Sequence, residues 1–461
     1  MDWRIPPWAI TPVDKTVIHP SIVAFGLSRL SYHARITKQI ESAMGKGWHH
    51  FSKFKKQEKM KMNAVGIDVS KGKSTIAVMR PFGEVVASPY DVGHTESELK
   101  ELARFLKSLP GETRVLMEYT GRYYEPIARY LHEAGIFVSV VNAILAHDYS
   151  GNSIRKVKTD KIDSIKLANM AIDRWIQLQE YVPEDEIRQT LKICNRQYNQ
   201  YNKLKTMLKN NLIALLDQTF PDVNKLFTSP SRKSDGHEKW VDFVLKFWHC
   251  ECVCGISEKQ FKDKYERWCR RNGYYYSAYK AEDIYAEACG NVGLLPKCES
   301  TKVLITQAIT QLQTIEEALA AIKCEMQKLS STLPEYDTVM ALYGVGEILG
   351  PQLIAEIGDV SRFKSKKSLI AFAGIDSPAD QSGQVDNNSK AITKRGSASL
   401  RKTLFQVMTI ILQNSPVNEP VYTYLDKKRA EGKPYRVYMI AAANKFLRIY
   451  YARAKECLVN T

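Results

Sequence analysis

Long apolar runs are missing from this chain, and that absence excludes a membrane-spanning helix. The first residues also lack a leader's apolar centre. Pro6, Pro7 and scattered charges stand there instead, so the expected compartment is the cytoplasm. Cysteine is sparse and irregular. Nine residues, an odd number at uneven spacings, do not make a disulfide framework and suit free thiols in a reducing environment. The densest group, His249-Cys250-Glu251-Cys252-Val253-Cys254, lacks the Cys-x2-Cys spacing of structural zinc sites. It reads as a thiol-rich segment, with zinc as the alternative. Acidic charge is also short. Fifty Asp and Glu against 66 Lys and Arg leave a net charge of +16, which favours a polyanionic partner, nucleic acid above all.

What is present is ordinary globular material. Hydrophobic residues make up 44% and charged residues 25% of 461 positions, enough for two or three domains with their own cores. Residues 1–61 stand apart. They mix Trp, His and Pro without a period and end in Lys53-Phe54-Lys55-Lys56. Two readings are open: a start assigned too far upstream, with Met60 and Met62 close to the first strand, or a basic arm that touches nucleic acid. The first makes residues 1–61 dispensable.

From Ala64 the pattern becomes α/β. Residues 64–69 read as a buried strand, 73–79 as a second and 84–88 as a third, with turns at Gly72 and Pro81-Phe82-Gly83. Over 96–107, Leu99, Leu102, Ala103 and Leu106 fall at helical spacing. A strand at 113–117, a helix at 124–133 and a strand at 137–141 follow. A three-stranded meander and then alternating helices and strands is the order of an RNase H-like domain, placed at 62–180.

Two long helices are expected over 184–217 and 301–333. Ile187, Leu191, Cys194, Tyr198, Tyr201, Leu208, Leu212 and Leu215 follow heptad steps, broken only at Lys205. Ile305, Ala308, Leu312, Ile315, Leu319, Ile322, Met326, Leu329 and Leu333 alternate steps of three and four without a break. Such stripes need cover, either from each other or from a second copy in a coiled-coil homo-oligomer. Between them, 218–300 is rich in Trp, Tyr and Cys and yields no fold. Tyr274-Tyr275-Tyr276 can stack on bases or serve as core. The 181–333 region thus reads as helices around an insertion. The last domain, 334–461, reads as mostly helical. Leu342-Tyr343-Gly344-Val345-Gly346 precedes an apolar helix through Leu353 and Ile357 and resembles a helix-hairpin-helix. There Gly344 and Gly346 would leave backbone N–H groups open to a phosphate.

Four acids stand out. Asp68 lies in the first strand, where an inward carboxylate is costly unless paired or bound to a metal. Glu118 ends another strand. Asp160 and Asp163 in Lys158-Thr159-Asp160-Lys161-Ile162-Asp163 are three apart, on one helical face. Converging carboxylates are what Mg2+-dependent phosphoryl transfer needs. Each acid alone has a plain structural reading as a cap or dipole partner; the ordered set is more specific than its members.

The motifs Val65-Gly66-Ile67-Asp68-Val69-Ser70-Lys71, Met117-Glu118-Tyr119-Thr120-Gly121 and Lys158-Thr159-Asp160-Lys161-Ile162-Asp163 resemble the three acidic motifs of the IS110 family of bacterial insertion-sequence transposases. Ala373-Gly374-Ile375, Gln381-Ser382-Gly383, Ile392-Thr393-Lys394-Arg395-Gly396 and Leu400-Arg401 resemble that family's C-terminal transposase domain. The resemblance covers roughly 62–215 and 333–455. It implies a DEDD, RuvC-like domain similar to Holliday-junction resolvases, in which Asp68, Glu118, Asp160 and Asp163 hold Mg2+. It implies Ser382 as the nucleophile of a covalent phosphoserine link to DNA. The implied partners are target and donor DNA, a structured bridge RNA that guides both, and further copies of the chain as a dimer or tetramer. In that assembly the acidic site of one protomer faces the serine of another, and the complex works at the bacterial nucleoid.

A serine hydroxyl needs activation, and no His or Cys–His pair stands near Ser382 to provide it. Metal coordination could, which gives a reason for both constellations in one chain. Ser382 alone would read as a turn residue, and Ser377 and Ser389 are neighbouring competitors. Lys158, Lys390, Lys394, Arg395, Arg401 and Lys402 are the expected phosphate contacts, or else a solvated basic face. The competing readings are a site-specific DNA invertase or Holliday-junction-type nuclease without guide RNA, and a non-catalytic nucleic-acid-binding scaffold.

Overall fold

The computed structural model describes residues 62–119, 121–150, 159–232, 236–377, 381–382, 385–386 and 391–460. The chain divides after Pro183 into two compact units.

In the first unit, β1 (Met62–Val69), β2 (Lys73–Arg80), β3 (Glu84–Gly93), β4 (Glu112–Glu118) and β5 (Phe137–Val141) form one sheet in the order β3-β2-β1-β4-β5. The first three strands make an antiparallel meander. β4 and β5 add in parallel, after the crossover helices α1 (Glu96–Ser108) and α2 (Tyr124–Glu133). α3 (Ala143–Ser150) and α4 (Asp160–Asp173) follow. β1 is central and its apolar residues are covered on both faces. Val65, Ile67, Val115 and Met117 pack against Leu99, Leu106, Ile127 and Leu131 of α1 and α2. Ala64 and Leu116 point the other way, onto Leu167, Met170 and Ala171 of α4.

Gly66 shares the α4 face, and there helix backbone lies directly on strand backbone. A Cβ at Gly66 would stand less than 3.0 Å from the Ser164 carbonyl oxygen and the Ala168 amide nitrogen. Only glycine allows that approach. β3 runs to Gly93, past the expected end at Ser88. Pro89 reads as a strand breaker, but β3 is an edge strand, where a missing N–H breaks no ladder, and register shifts near Val78 absorb the irregularity.

In the second unit, α5 (Glu186–Leu216) carries the chain out and α10 (Glu299–Ser331) brings it back. Leu212 and Leu216 share a core with Ile305, Ala308 and Leu312, while Leu191 joins Met326 and Leu333 at the other end. The two helices are therefore antiparallel, and the stripe of α10 finds its cover within the chain. Lys205, the break in the heptad pattern, pairs with Glu316 of α10 at 2.7 Å. Between them lie α6 (Lys239–Lys246), α7 (Glu251–Cys254), α8 (Glu258–Arg271) and α9 (Ala278–Gly290). The Trp/Cys-rich insertion is thus a helical module. Phe243 is its centre, with the rings of Phe220, Phe227, Phe247, Tyr265 and Trp268 around it at 4.8–6.5 Å. The Leu295 amide donates to the Gln218 carbonyl at 2.9 Å, so the module's entry and exit meet.

The C-terminal part contains α11 (Tyr336–Met340), α12 (Leu349–Ile357), α13 (Lys366–Ala373), the short strands β6 (Gln381–Ser382) and β7 (Val385–Asp386), and then α14 (Ala398–Asn414), α15 (Pro420–Ala430) and α16 (Tyr435–Asn460). Its core takes in Leu191, Met326 and Leu333, so it runs across residue 333. Two buried carboxylates tie it together. Glu335 forms a bidentate pair with Arg188, and Glu356 accepts from Asn195 at 2.9 Å and from Ser397 at 3.0 Å. Among the described residues no helix is long and apolar enough to cross a membrane.

Candidate active site

The strand register places the acids. Ile67 is opposite Met117 in the parallel β1–β4 ladder, so the next residues, Asp68 and Glu118, stand side by side where both strands end. By alternation they face α4, as Gly66 and Leu116 do. α4 begins at that same end. Its N-cap, Thr159, accepts from the Ile162 amide at 3.3 Å, and its first turn contributes Asp160 and Asp163. Sheet and helix thus bring all four expected carboxylates to one edge. Asp68, Glu118 and Asp163 are half-buried there and Asp160 is exposed.

The donor set fits a hard divalent cation in kind, since it offers only carboxylate oxygens. As placed, the side chains line an edge and do not close a coordination sphere. Among the described residues no three His, Cys, Asp or Glu groups stand close enough to hold a metal ion. Asp163 is engaged by Lys166 at 2.9 Å, a contact that ligation would have to loosen.

A fifth carboxylate stands in the same row and has no motif to announce it. Asp68 is opposite Thr75 on β2, and Thr75 is opposite Asp91 on β3. Asp91 accepts from Thr75 at 2.7 Å and from Lys73 at 2.8 Å. The Lys73 hydrogen bond, then that of Thr75, holds the Asp91 carboxyl below the usual carboxylate range. Lys73 is raised in turn by Asp91, with a smaller contribution from Asp160. Only the ladder register reveals this neighbour.

The second constellation lies in the other unit. Ser382 is the last paired residue of β6, opposite Val385. Ser377 is exposed, whereas Ser389, Lys390 and Lys158 lie outside the described residues. A cavity of about 1940 Å³ has Ser377, Ala391 and Ile392 among its lining residues. Lys367, Lys394, Arg401, Lys402, Arg436, Lys445 and Arg448 line it, against Asp376 as the one acid among the described lining residues. Such a cleft suits a phosphate backbone. Arg436, Lys445 and Arg448 all come from α16, and their wide spacing hid them in the sequence.

Two of the expected cations do structural work as well. Arg401 donates to the carbonyls of Ala373 at 3.0 Å and Gly396 at 3.2 Å. Lys402 donates to Asn199 of α5 at 2.9 Å. The turn carrying Lys394 and Arg395 is strapped along α13's end: the Lys394 amide donates to Gly374 at 3.0 Å and the Ser397 amide to Phe372 at 2.7 Å. Both Lys394 and Arg395 are exposed. Gly344 has a packing role. Its φ is +80°, and a Cβ there would sit 2.9 Å from Ile411 of α14. Gly346 has open space around it. In the thiol-rich segment His249 is buried and engages the Leu295 carbonyl at 3.0 Å, and all the described cysteines are free.

Two family models match this chain. One, described as a transposase, spans residues 65–221; the other, described as Transposase IS116/IS110/IS902 family, spans 336–422. Together they take in just over half of the sequence. The chain belongs to the IS116/IS110/IS902 transposase family. Relatives in this transposase family are distant. The Pilin gene-inverting protein of Moraxella bovis is 22% identical over 343 residues, 74% of this chain and 80% of that protein. The Insertion element IS116 uncharacterized 44.8 kDa protein of Streptomyces clavuligerus is 22% identical over 397 residues, 85% of this chain and 94% of its own length. Among solved structures, T. thermophilus RuvC in complex with Holliday junction substrate matches 27% of this chain and 85% of its own at 15% identity, with a TM-score of 0.17, too low to decide anything. Neither family model covers α6 to α9 of the helical module.

Proposed function

We propose that this transposase is an RNA-guided recombinase that cuts and rejoins the DNA of an insertion sequence, with Ser382 as its nucleophile. The observation that carries the reading is the gathering of Asp68, Glu118, Asp160 and Asp163 at one sheet edge. Mg2+ held by these four would neutralise charge at the phosphate and favour the attacking oxygen. The protein's own part is to hold DNA and aim the serine. Lys394, Arg395 and Lys402, with Arg436, Lys445 and Arg448, would grip phosphates along the cleft. Lys158, Lys390, Arg401 and the Gly344–Gly346 turn would add contacts of the same kind.

In the reaction a bond forms between Ser382 Oγ and phosphorus as the bond from phosphorus to one sugar oxygen breaks. The freed sugar hydroxyl gains a proton and the serine gives one up. The ester is conserved, so a second strand's hydroxyl can displace the serine without ATP. Acids and serine lie in different units of the chain. That separation is compatible with a homo-oligomer in which one protomer's acids serve another's serine.

The name of the Moraxella bovis relative favours a second reading, DNA inversion on the same chemistry without guide RNA. The test is a denaturing gel of protein with Mg2+, labelled DNA spanning the gene's flank, and RNA transcribed from that flank. Wild type should give a covalent adduct that requires the RNA. Ser382→Ala should bind both nucleic acids and give none, while Ser377→Ala and Ser389→Ala stay near wild type. An adduct that persists in Ser382→Ala overturns the serine assignment. An adduct that ignores the RNA favours inversion, and cutting without an adduct favours a nuclease.

A further inference from the structure

The helical module carries cations that its own acids leave alone. Some of its basic residues are paired with acids: Lys262 with Glu258 and Glu282, Arg270 with Glu266, Lys280 with Asp283, Lys225 with Asp222. Lys264, Arg267 and Arg271 follow one face of α8 at steps of three and four, are exposed, and have no carboxylate within salt-bridge distance among the described residues. Lys246, exposed at the end of α6, stands over Phe247, whose ring meets Phe261 of α8 at 5.6 Å. Burial, then the charges of Arg267, Arg271 and Lys264, hold the Lys246 ammonium below its ordinary range. Four like charges thus crowd one surface at a cost in repulsion that no partner among the described residues offsets.

Two exposed aromatic rings follow α8 in the chain. Tyr275 follows Arg271 closely and is 86% exposed, and Tyr279 is 73% exposed. Their neighbour Tyr274 is spent internally, stacked on Trp268 at 5.3 Å and bonded to Asp242 at 2.5 Å. Cations that track a backbone beside open aromatic faces are the chemistry of single-stranded nucleic-acid binding. The surface is remote from the cleft. The cleft uses Tyr198, Asn199 and Asn202 of α5, whereas the module hangs from the far end of that helix, roughly 20 Å further along its axis.

We propose that Lys246, Lys264, Arg267, Arg271 and Tyr275 form a docking surface for a single-stranded stretch of RNA. The choice of RNA over DNA rests on the guided reading above. The first assay is fluorescence anisotropy of the full chain with an oligouridine of about 20 nucleotides, the matching oligothymidine and a duplex of equal length, in stepped KCl. Replacing the four cations by Gln should weaken single-strand binding and reduce its salt slope by about 3, at roughly 0.7 per lost phosphate contact. Tyr275→Ala should cost about tenfold for single strands and little for the duplex. It changes one exposed side chain, so it reads the same surface if the fourfold variant does not fold. Unchanged affinity and slope, or an equal loss for the duplex, overturns the proposal. The second assay is ultraviolet cross-linking in the complex with flank RNA and DNA. Tyr275 should attach to RNA; attachment to DNA overturns the assignment. Neither readout requires the Ser382 adduct, so failure of the serine chemistry and failure of this surface are separable.

Discussion

Replacing Gly66 by alanine tests whether the acidic site depends on the contact between β1 and α4. Two effects oppose each other. Alanine restricts the unfolded chain, which favours folding by about 0.5–1 kcal/mol. Its methyl group would also press into the backbone of Ser164 and Ala168, closer than the 3.0 Å that real contacts respect. Backbone atoms cannot rotate aside as a side-chain end can, so α4 must retreat by about 1 Å or the strand must bend. Overpacking of this kind costs about 1–3 kcal/mol, and the clash wins. The net loss of about 1–2 kcal/mol lowers the melting midpoint of a unit this size by roughly 2–8 °C.

Activity should suffer more. α4 carries Asp160 and Asp163 immediately before Ser164, and a misplacement of about 1 Å in a reacting constellation costs about 100-fold. The assay is covalent-adduct yield under Mg2+, set beside a thermal melt and magnesium titration calorimetry. Gly66→Ala should melt earlier, bind Mg2+ more weakly and form adduct about 100-fold more slowly. Wild-type melting together with wild-type adduct formation would refute the close approach and its role.

Asp68→Ala and Asp163→Ala should each abolish adduct formation and weaken Mg2+ binding while far-ultraviolet circular dichroism stays as in wild type; normal Mg2+-dependent recombination by either would remove the carboxylate assignment. The Lys73–Asp91 bridge should hold β3 on β2 at neutral pH. Asp91 is depressed, so its contribution is complete above the ordinary carboxylate range and is lost as pH falls through the lowered value; Lys73 is raised, so its contribution persists through the ordinary lysine range and fades only above it. The protection of amides 90–93, taken relative to their intrinsic exchange rate at each pH, should therefore fall in acid, and Asp91→Asn should show that lower protection already at neutral pH.

The parts legible in the sequence were those with local signals. The run Ala64-Val65-Gly66-Ile67-Asp68-Val69 is apolar enough to mark a central strand, and Thr159 before Asp160 marks a helix start. The full extent of β3 was not legible, because tolerance of Pro89 depends on which strand lies at the edge. Asp91 stayed hidden for a similar reason: a register sets its nearness to Asp68, and no spacing does. The stripe on α10 announced that it needed cover but not whose; pairing with α5 is a tertiary outcome. The module yielded no fold in the sequence because aromatic rings, not regular aliphatic steps, fill its core. The cations of α16 were visible one by one, and only the cleft collects them.

The hydrogen bond between Leu295 and Gln218 has an architectural consequence. The chain leaves the long helix pair and returns to it at the same point, so everything between is an appendix on a closed stem. Closing a flexible loop costs only about 0.6 kcal/mol more for each doubling of its length. Enlarging, trimming or exchanging the appendix therefore burdens the stem little. The far end of the stem, where Arg188 locks onto Glu335 and Asn195 onto Glu356, keeps its own packing throughout. Such a plan lets evolution rewrite what the protein grasps without rewriting what it does to DNA.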